Sequence, residues 1–514
     1  MKPFNFGEVN LTAGGDGNGA GPAEETPFCV AIMGDFSGRT RRDSLGERPA
    51  LLIDRDNFDE VLAKIAPEIQ LPLNGDKSPV RLAFSELDDF HPDRIFERSE
   101  MFQRLRNLRS RLSDPSTFPS AAAELGLAAG RQSAAKEPPR ETQPAPSIAR
   151  VATGSLLDES IEQTQGRAVD ETARRAPDEL QEFVRRITEP HLVAANSDLQ
   201  SEVVAVLDRA ASAQMRSLLH SPNFQALEAA WRAVFLLVRR IETNARLKLY
   251  LIDISMQDLK ADLAPSPGPS GDLHSTGLYR RLVEKSVGTP GAEPWAVILG
   301  NYSFGPSFED AELLGQIARI ARAAGAPFIA GASPQLLGSP SFASAPHPRD
   351  WKPHQNTDGA RAWAELRRLP EASAVGLALP RFLLRLPYGE KTVPVEFFTF
   401  EEMLGSPTHE DYLWGNAAIA CTLLLADSFN TYGWAMRPGA ISDIDGLPLH
   451  AYERDGESEL KPCAEALLTD DAVERILENG LMPLVSLKGR DLVRLARFQS
   501  ITEPPRPLTG PWNK

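Results

Sequence analysis

"PWAVILGNYSFGPSFEDAELLGQIARIARAAGAPFIAGAS" runs from Pro294 to Ser333. Its first part, "PWAVILGNYSF", is almost continuously apolar and reads as a central strand ending at Gly300. "DAELLGQIARIARAAGAP" reads as a helix, and "FIAGAS" as a second strand. Strand, helix and strand in that order are the unit of an α/β sheet. The alternation continues on both sides. Upstream, "LKLYLIDIS" (Leu247–Ser255) is a strand, "PSPGPSG" a loop and "LYRRLVEKSV" a helix. Downstream, Trp363–Leu369 is a short helix and "VGLALP" a strand. Phe397–Trp414 is a short element leading into the Ala/Leu-rich helix "NAAIACTLLLADSF". The stretch from Pro462 adds a helix and two short strands, and "EPPRPLTGPWNK" is Pro-rich coil. The pattern predicts an α/β domain over 241–500, a mixed sheet flanked by helices, with a tail at 501–514.

The first half reads differently. Residues 1–26 are Gly-rich and predict a flexible tail. "FCVAIMGDF" is a buried strand that stops at Gly34-Asp35. "DRDNFDEVLAKIAPEI" has Asp54 as an N-cap candidate and Phe58, Val61, Leu62 and Ile65 at helical spacing. "PVRLAFSELDDF" gives a second strand. "HPDRIFERSEMFQRLRNLRSRL" predicts one long amphipathic helix. These elements set a region at 27–113. A Pro/Ala/Ser-rich linker follows at 114–154, then a long helical segment at 155–240, broken at Pro190 and near Pro222. "LHSPNFQALEAAWRAVFLLVRR" (Leu219–Arg240) closes that segment as a helix with an apolar side.

The 514 residues are 42% hydrophobic and 24% charged, ordinary for a globular chain of several domains. The net charge of −15 argues against nucleic acid or an anionic membrane as a partner, since both need basic surface. Cys29, Cys421 and Cys463 form no C-x-x-C pair and no disulfide framework. No apolar run reaches the roughly 18 residues of a membrane helix. The N-terminus has no apolar core of a signal peptide, so the cytoplasm is the expected location.

Equipment for chemistry is scarce. There is no P-loop; "GDKS" at Gly75 lacks the upstream glycine. "GGDGNGAG" neither follows a strand nor opens a helix, so it is no dinucleotide turn. His347 and His354 share a Pro-rich loop, but no cysteine or carboxylate at usual spacing completes a metal site. Asp88 and Asp89 are adjacent and point to opposite faces, so helix capping fits them better than acid/base work. No catalytic, cofactor or metal residue is assigned. "LPRFLLRLPYG" sets Arg381 and Arg385 in a dense apolar run. Buried arginines need partners. Either they line a substrate anion site, or they make structural ion pairs, for example with Glu401 or Glu402, and the second is preferred. Trp231, Trp295, Trp363, Trp414 and Trp434 are expected as core or interface anchors.

Several of these stretches resemble the contractile sheath of type VI secretion systems. "PFCVAIMGDFSGR", "IDRDNFDEVLAKIAPEI" and "FSELDDFHPDRIFER" resemble its small subunit. "GSLLDESIEQT", "LHSPNFQALEAAWRAVFLLV", "EPWAVILGNYSF", "LALPRFLLRLPYG", "FTFEE" and "YLWGNAAIA" resemble the large subunit in order and spacing over roughly residues 155–500. The resemblance implies a contractile-tail-sheath-like fold, a fused sheath-like structural subunit, no enzyme and no cofactor. Implied partners are other sheath subunits or copies of the chain, the inner-tube protein, baseplate proteins and the hexameric ATPase that recycles contracted sheath. The helix at "GSLLDESIEQT", with Leu156, Leu157 and Ile161 as its apolar stripe, corresponds to the one that ATPase grasps. The family's large subunit continues beyond the region matched by "SLKGRDLVRLARFQS", and its later part accepts neighbouring strands. The chain by itself is therefore not expected to polymerise by strand exchange. Two other classes stay open on residues alone: a non-polymerising accessory or scaffold that binds sheath or baseplate components, and an enzyme with an arginine-lined anion site.

Overall fold

Between Phe28 and Gly34 the chain is apolar without alternation, as a strand covered on both faces must be. In the computed structural model this strand, β1 (Phe28–Gly34), is buried along its whole length inside a nine-stranded sheet. The structure describes residues 22–38, 43–71, 80–124, 199–264, 273–287, 289–352, 357–405 and 407–513. Two compact units make it up. One contains Met1–Leu73, Ser78–Ile95 and Arg216–Lys514; the other contains Asn74–Lys77 and Phe96–Met215.

In the first unit, β1 leads to β2 (Leu51–Ile53), helix α1 (Phe58–Ile65) and a separate antiparallel hairpin, β3 (Glu68–Leu71) with β4 (Val80–Ala83). Helix α1 starts at Phe58 with Asn57 as its N-cap. Asp54 instead accepts from the backbone N–H groups of Asp56 and Asn57. Asp89 does cap, but it caps its own short turn: one oxygen takes Ser85 N–H and O–H and Glu86 N–H. The expected long helix is two helices, α2 (Pro92–Arg98) and α3 (Glu100–Ser113), interrupted at Ser99. The second unit holds α3, α4 (Phe118–Glu124) and most of α5 (Leu199–Leu219). Helix α4 occupies the start of the stretch expected as linker, with Ala121 and Ala122 buried. In this unit Arg109 clasps Asp208 through two hydrogen bonds of 2.6 and 3.1 Å. The rest of the expected linker, most of the N-terminal tail and residues 155–198 lie outside the described residues.

The first unit resumes with α6 (Pro222–Arg240). Ser221 caps it by accepting from Phe224 N–H, Pro222 opens its first turn, and Arg239 and Arg240 close it. Next come β5 (Leu247–Asp253), α7 (Met256–Asp262), β6 (Trp295–Phe304), α8 (Phe308–Ala324), β7 (Phe328–Ala332), α9 (Asp358–Arg368), β8 (Val375–Leu379) and β9 (Phe382–Leu383). The remainder is β10 (Trp414–Gly415), α10 (Ala417–Tyr432), β11 (Asp443–Ile444), β12 (His450–Arg454), β13 (Glu457–Lys461), α11 (Asp470–Glu478), β14 (Met482–Ser486) and β15 (Val493–Leu495).

The sheet order is β11-β15-β14-β8-β7-β6-β1-β5-β2. The six strands from β14 to β5 run parallel; β2, β15 and β11 are antiparallel to their neighbours. β1 therefore sits between β5 and β6, both contributed by the chain beyond residue 240. β6 does not end at Gly300. It continues to Phe304, and Gly300 is small because the Phe328 ring would lie 2.5 Å from any Cβ there. β7 and β8 are buried at every residue, so both faces of the sheet are covered. Helix α10 packs against β6, β7 and β8 and is buried nearly all round, which accounts for its Ala/Leu composition. The C-terminal residues do not trail off. Ile501 N–H reaches Val375 O at 3.0 Å, Thr509 N–H reaches Ser373 O at 2.8 Å, and Leu508 and Trp512 are buried. No described helix is long and apolar enough to cross a membrane.

Candidate functional site

The dense apolar run around Arg381 and Arg385 is pinned from two sides. β9 pairs antiparallel with β10, Leu383 opposite Trp414. On its other edge Leu383 N–H donates to Cys463 O, and Glu465 N–H donates to Arg381 O. The two arginines flank this short strand, Arg381 before it and Arg385 two residues after it, and they meet different surroundings.

Arg385 is buried against α6. Its Nε donates to Glu228 Oε1 at 2.8 Å and its Nη1 to Glu402 Oε2 at 2.7 Å. Nη2 spans both carboxylates, at 3.3 Å to Glu228 Oε2 and 3.0 Å to Glu402 Oε1. The guanidinium also lies 4.2 Å from the centre of the Tyr388 ring. Arg232 completes the group, with Nε 2.7 Å from Glu228 Oε1 and Nη2 2.9 Å from Tyr388 Oη. Tyr388 N–H donates to Glu402 Oε2 at 2.7 Å, and His220 stands 3.6 Å from Glu402 and 3.3 Å from Asp411. Two guanidinium and two carboxylate groups thus balance inside the protein. Burial alone would raise the Glu402 carboxyl; the Arg385 charge and its hydrogen bonds overcome that and hold it at about 2. Burial pushes the Tyr388 phenol up to about 12. Burial also works against the Arg385 charge, yet Glu228 and Glu402 keep its pKa well above the usual arginine value.

Arg381 is half exposed and bonds a different carboxylate. Glu465 accepts from Arg381 Nη2 at 2.5 Å and from its backbone N–H at 2.9 Å, while His409 Nε2 lies 3.0 Å from the same carboxylate. Burial would raise Glu465 too, but His409 and Arg381 hold it at about 2. Glu402 is thus a partner of Arg385. Glu401 partners neither arginine: its carboxylate accepts Glu390 N–H, and its carbonyl accepts Arg216 Nη1, both at 3.0 Å. Leu156, Leu157 and Ile161 lie outside the described residues, as does His354. Sequence reasoning missed Glu228, Arg232, Tyr388 and Glu465. Glu228 carried a legible signal, since it stands among Phe224, Leu227 and Trp231 on the apolar side of α6.

A third polar cluster closes the crevice at the carboxyl ends of β1 and β5, the place where parallel sheets bind ligands. Here Asp253 Oδ1 itself accepts Phe36 N–H at 2.8 Å and Ser37 N–H at 3.0 Å. The backbone donors that could cradle an anion already hold a carboxylate of the same chain. Trp231 Nε1 fixes the same turn by donating to Phe36 O at 2.9 Å.

These clusters hold elements together and have little to react with. Carboxyls titrating near 2 and a phenol near 12 move no protons at neutral pH. The donors of Arg385 are saturated, which removes the free positive field an anionic substrate needs. Burial raises all three thiols, Cys29 to about 12 and Cys463 to about 11, away from reactive thiolate. Among the described residues no group of three His, Cys, Asp or Glu side chains is placed to hold a metal.

Internally neutralised ion clusters thus stitch elements of a single chain together. The comparisons give its class. The family described as "EvpB/VC_A0108, tail sheath N-terminal domain" matches residues 201–502, more than half of the chain. The family described as "Type VI secretion system, VipA, VC_A0107 or Hcp2" matches residues 8–118. The chain is 34% identical over 340 residues to the type VI secretion system sheath protein TssC1 of Pseudomonas aeruginosa, covering 64% of this chain and 68% of that protein. The chain belongs to the type VI secretion tail-sheath family, whose members are structural components that assemble with other sheath subunits.

Proposed function

We propose that this polypeptide is a fused protomer of the contractile sheath of a type VI secretion apparatus, carrying in one chain what resemble the sheath's small and large subunits. The observation that carries the reading is the position of β1. It comes from the region matched to the small-subunit family, yet it fills an interior place in a sheet otherwise built largely by the region matched to the sheath domain. Such interleaving makes the two regions one folding unit, and a single chain fixes their ratio at one to one.

On this reading the protein is not an enzyme. It works in the cytoplasm with other sheath subunits, the inner-tube protein and baseplate proteins, and "GSLLDESIEQT" is the handle for the recycling ATPase. Removing the chain from the bacterium that encodes it should stop release of the inner-tube protein, and supplying it again should restore release. Undiminished release without the chain refutes the reading. The handle is tested separately, by pull-down of the ATPase N-terminal domain with wild type and with Leu156→Asp/Leu157→Asp; equal recovery removes that role.

A further inference from the structure

Two hairpins, one separate from the main sheet and one within it, carry opposite charge. β12 and β13 form a two-stranded hairpin with Arg454 opposite Glu457 across an Asp455-Gly456 turn, both turn residues at positive φ. Residues 453–459, "ERDGESE", hold four carboxylates and one guanidinium, a net −3, and all are exposed except the partly exposed Glu459. The second hairpin is β14–β15. Residues 488–497 of its turn and second strand, "KGRDLVRLAR", hold four cations and one carboxylate, a net +3. Lys488, Arg490 and Arg497 are exposed and make no ion pair among the described residues.

Among the described residues no ion pair joins the two charged stretches within one molecule. The basic β14–β15 turn sits at the root of the acidic hairpin, where Cys463 Sγ lies 3.3 Å from Pro448 O and 3.4 Å from Arg490 O, and Leu447 N–H donates to Asp491 O. Five residues of strand carry the acidic tip roughly 15 Å away from that root. The ion pairs made are local: Glu453 with Lys391, Glu459 with Arg454, and Asp443 with Arg494. An isolated two-stranded hairpin is also marginal by itself, and this one leaves Leu460 about half exposed on its outer face.

We infer that the acidic β12–β13 tip of one copy of the chain docks on the basic β14–β15 turn of the next. The inference rests on the sheath reading for the expectation that copies meet. Tip and turn are different surfaces of one molecule, so the contact is head-to-tail, the type that builds rings or helices. At an overall charge of −15, copies repel on average, and locally opposite charge favours approach at these two surfaces.

Charge reversal on the full chain tests this by sedimentation velocity at low and at high salt. Glu453→Lys/Glu457→Lys turns the tip basic, and Lys488→Glu/Arg490→Glu turns the other surface acidic. Unchanged circular dichroism and Tm show that both variants fold. Wild type should self-associate, and more weakly at high salt. Each variant alone should associate at least about tenfold more weakly. An equimolar mixture should recover association, because the unaltered acidic tip of the second variant meets the unaltered basic turn of the first, and the two reversed surfaces also match. A wild type that stays monodisperse at low salt, variants that associate like wild type, or a mixture that recovers nothing would each overturn the inference. The sheath reading stands or falls separately, on inner-tube release in the cell.

Discussion

Replacing Arg385 by Met keeps most of the side chain's volume and deletes its charge. Glu228 and Glu402 each lose two hydrogen bonds. Glu228 keeps Arg232, whereas Glu402 keeps the Tyr388 N–H and the more distant His220. Two routes give the size of the effect. Breaking a buried ion pair from one side costs about 3–5 kcal/mol. A Glu402 carboxyl held at about 2 against an ordinary 4.5 stabilises the fold by about 3 kcal/mol at neutral pH. The folded value lies below the unfolded one, so this contribution is complete above about pH 5 and fades as the pH falls toward 2. Urea denaturation of Arg385→Met at pH 7, followed by tryptophan fluorescence, should show a loss of about 3–5 kcal/mol. The gap to wild type should narrow between pH 5 and 3. Arg385→Met/Glu402→Gln should recover much of the loss, because Glu228 keeps Arg232 and no carboxylate is left buried without a cation. A loss under about 1 kcal/mol at pH 7, or one that does not change down to pH 3, refutes the reasoning.

Glu465→Gln should lower stability at pH 7 and leave it little changed near pH 2, since the wild-type carboxylate is held at about 2 and its contribution disappears only in acid; thermal unfolding across that range reads it. Gly359→Ala should cost about 2–3 kcal/mol, because its Cβ would lie 2.0 Å from the Pro306 carbonyl oxygen, and backbone cannot swing aside; Tm reports it. Trp231→Phe should cost about 1–3 kcal/mol by leaving the buried Phe36 carbonyl without its indole donor; denaturation midpoints measure it. Expressed as two polypeptides broken within 125–198, the halves should co-purify one to one, and the second half alone should be insoluble, because a fully buried strand would be missing from between β5 and β6. A soluble, monomeric second half would contradict that.

The strands and helices of the sheet were largely legible because their cues are local. A continuous apolar run such as Phe28–Gly34 announces burial on both faces. It does not announce neighbours, and β1 pairs with strands more than 200 residues away. Gly300 was read as a stop because a glycine looks the same whether it ends a strand or lets a ring approach; only the position of Phe328 distinguishes the two. Ser99 interrupts a helix whose apolar spacing passes through it undisturbed. The β12–β13 hairpin was missed although its Asp-Gly turn is a strong local signal, because its flanking residues are too polar to read as strands. The arginine pairing was half legible. Two buried arginines predict carboxylates, and Glu402 lay close by, but Glu228 and Glu465 come from 157 and 84 positions away and are chosen by the packing of α6 and the β9 edge.

The interior position of β1 has a cost in time. On the ribosome its seven apolar residues emerge first, and β6, one of the two strands that flank it, is finished only at Phe304, about 270 residues later. At about 5–20 residues per second, that is roughly 15–55 s during which a segment built for complete burial has no place to go. Translation from a single message at least ensures that the strand and the slot awaiting it are produced within reach of each other, so the search is intramolecular and does not slow down when the protein is scarce.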